Sequence, residues 1–155
     1  MTKFAFIFVT FVVLGGCSPS LPECSSSDPM AIASALYGRE QFRAMLTNVA
    51  KSTVTGKMVA EKDPAGFKKR LSSAVDHALD RHGGQWDANL AQAYSDTLNK
   101  EELMLLCAAM NENDKASFGR FAERVGPDMK SKSTPLLQKA GVEVIKELIE
   151  GQPAK

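Results

Sequence analysis

Aromatic side chains are scarce, at 7% with a single tryptophan, and the chain of 155 residues has two histidines and three cysteines. Each shortage excludes something. His77 and His82 alone, with no His-Glu-x-x-His and no cysteine pair at zinc spacing, do not make a metal centre. No Gly-x-Ser-x-Gly elbow is present to expose a nucleophile, and no glycine-rich phosphate loop occurs. Charge of one sign is missing too: 19 Lys and Arg face 18 Asp and Glu. That balance gives no electrostatic reason to bind nucleic acid or acidic lipid. Alternating β-branched runs are absent, which excludes an extensive sheet, and no apolar stretch is long enough to span a bilayer.

What is present begins at the N-terminus. Met1-Thr2-Lys3 carries one positive charge, and residues 4–13 read Phe-Ala-Phe-Ile-Phe-Val-Thr-Phe-Val-Val. That run has the length of a signal-peptide core. Leu14-Gly15-Gly16-Cys17 follows, with small residues that fit the narrow site of a signal peptidase and then a thiol that can take a diacylglycerol. The four residues closely resemble the lipobox of bacterial lipoproteins. The resemblance implies cleavage before Cys17 and acylation of its sulfur and new amine. An ordinary secretory signal with a cysteine by chance is the plainer alternative. Several acyl chains on one residue hold a protein far more firmly than one, at about 0.8 kcal/mol per buried methylene. Residue 18 is Ser rather than the Asp that retains many lipoproteins in the inner membrane, so the resemblance favours the outer membrane, facing the periplasm.

Residues 1–16 are therefore expected to be a cleaved leader, 17–27 a lipidated cysteine with a flexible tether, and 28–155 one helical domain. Loss of Lys3 with the leader leaves 18 basic against 18 acidic side chains. Serine and proline in Ser-Pro-Ser-Leu-Pro-Glu-Cys-Ser-Ser-Ser mark the tether. With Cys17 taken by lipid, Cys24 and Cys107 remain in an oxidising compartment and invite a disulfide. Its loop of about 80 residues would stabilise by ~4 kcal/mol on chain entropy. The competing reading makes Cys107 a small core residue, in phase with Leu103, Leu106 and Met110.

The domain reads as all-α, an irregular bundle of five or six helices. Asp28-Pro29 and Asp63-Pro64 pair an N-cap with proline at the first helical position. The first helix carries Met30, Ile32, Ala33, Leu36 and Tyr37, is weakened at Gly38, and continues through Phe42, Met45, Leu46 and Val49. Residues 51–62 form a loop or a short helix. The next helix carries Phe67, Leu71, Ala74, Val75, Ala78 and Leu79 and should stop at Gly83-Gly84. Trp86, Leu90, Ala93 and Tyr94 mark a third. Asn99 with Glu102 predicts a capped fourth helix through Met110. A fifth, with Phe118, Phe121, Ala122 and Val125, should end at Gly126-Pro127. A sixth, starting near Thr134-Pro135 with a wide face from Leu136 to Ile149, should be the most buried and stop at Gly151.

A few residues remain as candidates for chemistry. His77 and Asp80 share a helix face, while His82 lies about 140° around from His77. His82 near a helix end also suits the helix dipole. Cys107 with a histidine could pair as nucleophile and base, although an apolar stripe suits core or disulfide better. Glu101-Glu102 fits helix N-terminal charge. Trp86 and Tyr94, eight apart on one face, could line a ligand or partner surface, or else anchor the core. Lys68-Lys69-Arg70 could face a membrane, or be a solvated helix face.

Residues 85–147 resemble the bacterial envelope family called domain of unknown function 2059. A tryptophan-led helix from Trp86 to Tyr94 and then Leu98-Asn99-Lys100-Glu101-Glu102-Leu103 carry the resemblance, in place of that family's acidic helix start. The family's Phe-Tyr and Ser-Pro-x-Gly turn are replaced by Ala109-Met110-Asn111-Glu112-Asn113. The resemblance implies a helical fold and an envelope location, with no catalytic residues to carry over.

The expected function is that of a non-catalytic binding or scaffold lipoprotein with a protein partner in the periplasm, a lipid anchor, no nucleic acid, no metal and no cofactor. The alternative is an immunity lipoprotein that neutralises a secreted antibacterial toxin. The third reading is an enzyme built on Cys107, His77 or a carboxylate pair.

Overall fold

A computed structural model describes residues 24, 27–36 and 38–151. The expected leader, Cys17, most of the tether, Tyr37 and the last four residues lie outside them. Among the described residues there are six α-helices and no strand, an irregular all-α bundle.

Local chemistry sets most helix starts. Helix α1 (Pro29–Ala35) is opened by Asp28, whose side chain accepts from Met30 N. Helix α2 (Gly38–Ser52) is separate from it, because the chain breaks at Leu36, whose N–H still bonds Ile32 O. Gly38 permits the two segments to meet α4 closely: a Cβ there would lie 3.0 Å from Asp87 Oδ1. Residues 51–62 resolve into the end of α2 and a short helix α3 (Val54–Lys62), capped by Thr53. Helix α4 (Pro64–Thr97) starts on Asp63, which accepts from Gly66 N at 2.9 Å.

Helix α5 (Lys100–Asn111) has the full reciprocal capping box. Glu102 N donates to Asn99 Oδ1 at 2.9 Å, and Asn99 N donates to Glu102 Oε2 at 3.0 Å. It ends in a Schellman turn: Asn113 takes φ 55°, its N–H bonds Met110 O, and Asp114 N–H bonds Ala109 O. Asparagine tolerates that left-handed conformation better than most residues. Asp114 then caps helix α6 (Lys115–Glu150).

Two expected stops are corrected. Gly83-Gly84 does not end a helix; α4 runs through both for 34 residues. Each glycine costs the helix about 1 kcal/mol relative to alanine, but the buried stripe is unbroken in phase from Leu71, Ala74, Val75, Ala78 and Leu79 through His82 and Gly83 to Trp86, Leu90, Ala93 and Tyr94. Packing along that stripe outweighs the propensity. Gly126-Pro127 does not end a helix either, nor does one begin at Pro135. Both prolines sit inside the 36-residue α6. They face solvent, as do residues 123 and 131, whose carbonyls lose their helical donors and can bond water instead. The closing segment is not the most buried: it buries Ala140, Gly141, Val144 and Leu148 and leaves Ile149 half exposed, whereas α4 contributes twelve buried residues.

Helices α4 and α6 are the antiparallel spine. His77 meets Glu147, His82 meets Glu143, Asn89 meets the Lys132 carbonyl and Arg124 meets the Thr97 carbonyl, so one numbering rises as the other falls. Two core clusters lie along it. One holds Phe42, Leu46 and Ala50 of α2 between Leu71–Trp86 positions of α4 and Ala140, Val144 and Leu148 of α6. The other, at the opposite end, holds Cys24, Ile32 and Ala33, then Leu90, Ala93 and Tyr94 of α4, Leu103, Leu106, Cys107 and Met110 of α5, and Val125 of α6. Met129 packs against both.

Candidate functional site: the histidine seam and the cysteine clasp

The long spine brings together charged groups that are far apart in sequence. His82 is the buried histidine, 8% exposed, because position 82 continues the apolar phase of α4. Its Nε2 lies 2.9 Å from Glu143 Oε2. His77 is exposed, and its Nδ1 lies 2.9 Å from Glu147 Oε2. Between them Arg81 donates to both acids, through Nε to Glu143 at 3.1 Å and through Nη2 to Glu147 at 2.7 Å. The result is one chain of contacts: His82, Glu143, Arg81, Glu147, His77.

Electrostatics follow from these partners. The His82 hydrogen bond holds the Glu143 carboxyl below the ordinary glutamate value, with Arg81 adding to it. Burial pushes Glu147 upward, but the donors from His77 and Arg81 together outweigh it, and its net shift is downward. The Glu147 hydrogen bond raises Arg81. These are carboxylates kept ionised by the Arg81 guanidinium and by hydrogen bonds to the two histidines, as suits a helix–helix seam. An acid for proton donation would need the opposite shift.

The two histidines both reach α6, each taking a different glutamate one turn apart. Among the described residues no group of three His, Cys, Asp or Glu side chains is placed to hold a metal ion. Asp76 is drawn away to Arg43 of α2 at 2.6 Å, and Asp80 is exposed. Sequence reasoning missed Glu143 and Glu147. Their signal was the i, i+4 spacing of two acids flanking the Ala140–Val144–Leu148 stripe, which places them beside whatever packs on that stripe.

The cysteine expectation has a plain outcome. Cys24 and Cys107 form a disulfide, with Cα atoms 5.3 Å apart and a sequence separation of 83. Cys107 is also a core residue, so the two readings of it coincide. Bonded to Cys24, its sulfur is not a free thiolate, and the pairing of Cys107 with a histidine as nucleophile and base is not formed. Asn111 reinforces the junction. Its Nδ2 donates to Cys24 O at 2.7 Å and its Oδ1 accepts from Cys24 N at 3.0 Å.

Trp86 and Tyr94 do not form a surface. Trp86 is 3% exposed and stacks on Phe42, centroids 4.5 Å apart and planes 11° from parallel. Tyr94 is buried in the other cluster, where burial pushes its phenol well up from the ordinary value. Eight residues of helix carry them past the junction of the two clusters, so each anchors a different one. In the basic run, Lys68 and Lys69 are solvated, while Arg70 turns inward to Asp63 at 2.6 Å. Pockets are poor: a shallow groove beside Lys68, Ser72 and His77, and a crease lined by Leu36, Met110 and Phe118. No helix among the described residues is long and apolar enough to cross a membrane.

No protein-family model, no curated protein and no solved structure matches the chain.

Proposed function

We propose that this protein is a lipoprotein of the bacterial envelope, held by Cys17 on a membrane and facing the periplasm, whose helical domain binds a protein partner without catalysing a reaction. The observation that carries the reading is the Cys24–Cys107 disulfide. Disulfides persist in oxidising compartments, and this one uses both cysteines beyond the lipobox-like Leu14-Gly15-Gly16-Cys17, leaving Cys17 for lipid. Ser18 favours the outer membrane on the lipoprotein resemblance. The binding role is supported by a site chemistry of mutually hydrogen-bonded His, Arg and Glu side chains with both carboxyls held below their ordinary value, which suits a helix–helix seam rather than a proton-donating centre.

Labelled palmitate tests the anchor. The wild-type protein should incorporate it and fractionate with membranes, and Cys17→Ser should lose both properties. A Cys17→Ser protein that still labels and still pellets overturns the reading. Capture of the partner from envelope extract by the untethered domain then distinguishes a scaffold component from an imported antibacterial toxin, which is the immunity reading.

A further inference from the structure

We infer that the outward arc of α5 is a bilayer-contact surface: Met104, Leu105 and Ala108 rest on the zwitterionic lipid surface to which the chain is anchored. The inference rests on the lipidation proposed above and adds the face by which the domain stands on the membrane.

Met104 is 58% and Leu105 60% exposed, and Ala108, one turn on, is exposed as well. They are contiguous on the helix surface opposite the Leu103, Leu106 and Met110 side that packs inward. Their position relative to the tether is what identifies the occupant. Cys24 is fixed to this same helix at three points, by the bond to Cys107 and by the two Asn111 hydrogen bonds. On the helical wheel, Asn111 and Met104 lie next to each other on the rim of the outward arc. Six residues separate Cys24 from Cys17, so the lipidated cysteine is never more than about 25 Å from the clasp. Helix α5 itself is only about 18 Å long. The whole arc is therefore within tether reach of the bilayer, and contact with it is an intramolecular event.

The charges agree with a neutral lipid surface. Glu101 lies one turn before the patch and Glu112 one turn after it on the same face, with Lys100 at its edge, a net charge of −1 that gives no attraction to acidic lipid. The basic run that might have sought acidic lipid is elsewhere: Lys68 and Lys69 lie about 30–40 Å along α4 from Leu90, Ala91, Ala93 and Tyr94, the residues of that helix that share a cluster with Cys24.

The test uses the full-length acylated protein, with acylation verified by mass, reconstituted into phosphatidylcholine vesicles that contain brominated lipid. Leu105→Trp and, separately, Met104→Trp supply the reporter, read against the unsubstituted protein so that Trp86 cancels. Val142→Trp, at a 70% exposed site on α6, is the control. The expected result is a blue shift and loss of more than half the added emission at 104 and 105, no quenching at 142, and little change with salt. Vesicle flotation reads the anchor separately. Flotation with no quenching at either position overturns the contact surface and leaves the anchor standing, as does cross-linking of the arc to a second copy of the chain. Failure to acylate and float overturns the anchor, and the contact surface with it.

Discussion

Asn111 grips Cys24 by both edges of its peptide, its amide donating to the Cys24 carbonyl and accepting the Cys24 N–H, one helical turn beyond the disulfide partner Cys107. Cys24 is thus held at a fixed point on α5. Reduction, or the paired change of Cys24→Ser with Cys107→Ser, should lower stability by about 2–5 kcal/mol, since it frees a long loop in the unfolded chain. Asn111→Ala should cost about 1 kcal/mol. Urea unfolding of oxidised and reduced protein measures both. Equal midpoints would show that the bond does not constrain the unfolded state.

The seam between α4 and α6 makes stability depend on pH on the acid side. Glu143 and Glu147 both have folded values below the ordinary 4.5. A depressed carboxylate contributes stability that is fully present above its unfolded value and is lost as pH falls through the folded one. Stability should therefore hold down to about pH 5 and decline below it. The double change Glu143→Gln with Glu147→Gln should lower stability at neutral pH and flatten that decline. An unchanged acid-side slope in the double variant would place the pH dependence elsewhere.

The Phe42–Trp86 stack joins α2 to α4 in the larger core. Trp86→Ala should cost about 3–5 kcal/mol through lost burial and a cavity. The indole Nε1 has no acceptor among the protein atoms, so Trp86→Phe loses no protein hydrogen bond and should cost distinctly less. Thermal melts of the two variants decide it; a phenylalanine as damaging as alanine would mean that the indole nitrogen matters.

Gly56 is required for a different reason, close approach. A Cβ at that position would lie 1.8 Å from Ala50 O, backbone that cannot step aside without moving the α2–α3 junction. Gly56→Ala should therefore destabilise by about 1–3 kcal/mol or more, against the usual gain of alanine in a helix. Gly84→Ala, where nothing lies within 4 Å of the added atom, should stabilise slightly. A Gly56→Ala protein as stable as the parent would refute the contact.

Helix starts were legible because a cap is local: Asp28, Asp63 and Asn99 bond backbone two or three residues away. The ends expected at Gly83-Gly84 and Gly126-Pro127 and the start expected near Thr134-Pro135 were misread because propensity is local and packing is not. The apolar phase continues across each of them, through Trp86 in α4 and through Met129, Leu136 and Ala140 in α6, and that continuity was the better guide. The disulfide was legible from compartment chemistry once Cys17 was set aside. The His–Glu contacts were not, since 61 and 70 residues separate the partners and only the antiparallel spine joins them.

The histidines should matter to structure and not to function. His77 and Asp80 are exposed, and their removal leaves no buried group unsatisfied. His77→Ala and Asp80→Ala should each leave partner capture within about twofold of the parent, the effect of an ordinary surface change. His82 is buried against Glu143, so His82→Ala should cost about 1–3 kcal/mol of stability, with capture restored to the parent level when assayed at a temperature where the variant is folded. A catalytic histidine behaves otherwise: its loss lowers activity by orders of magnitude while the fold persists. Circular dichroism reports the fold and pull-down from envelope extract reports capture. If His77→Ala or Asp80→Ala abolishes the biological effect in a fully helical protein, the binding-module reading falls and a reaction centred on the seam takes its place.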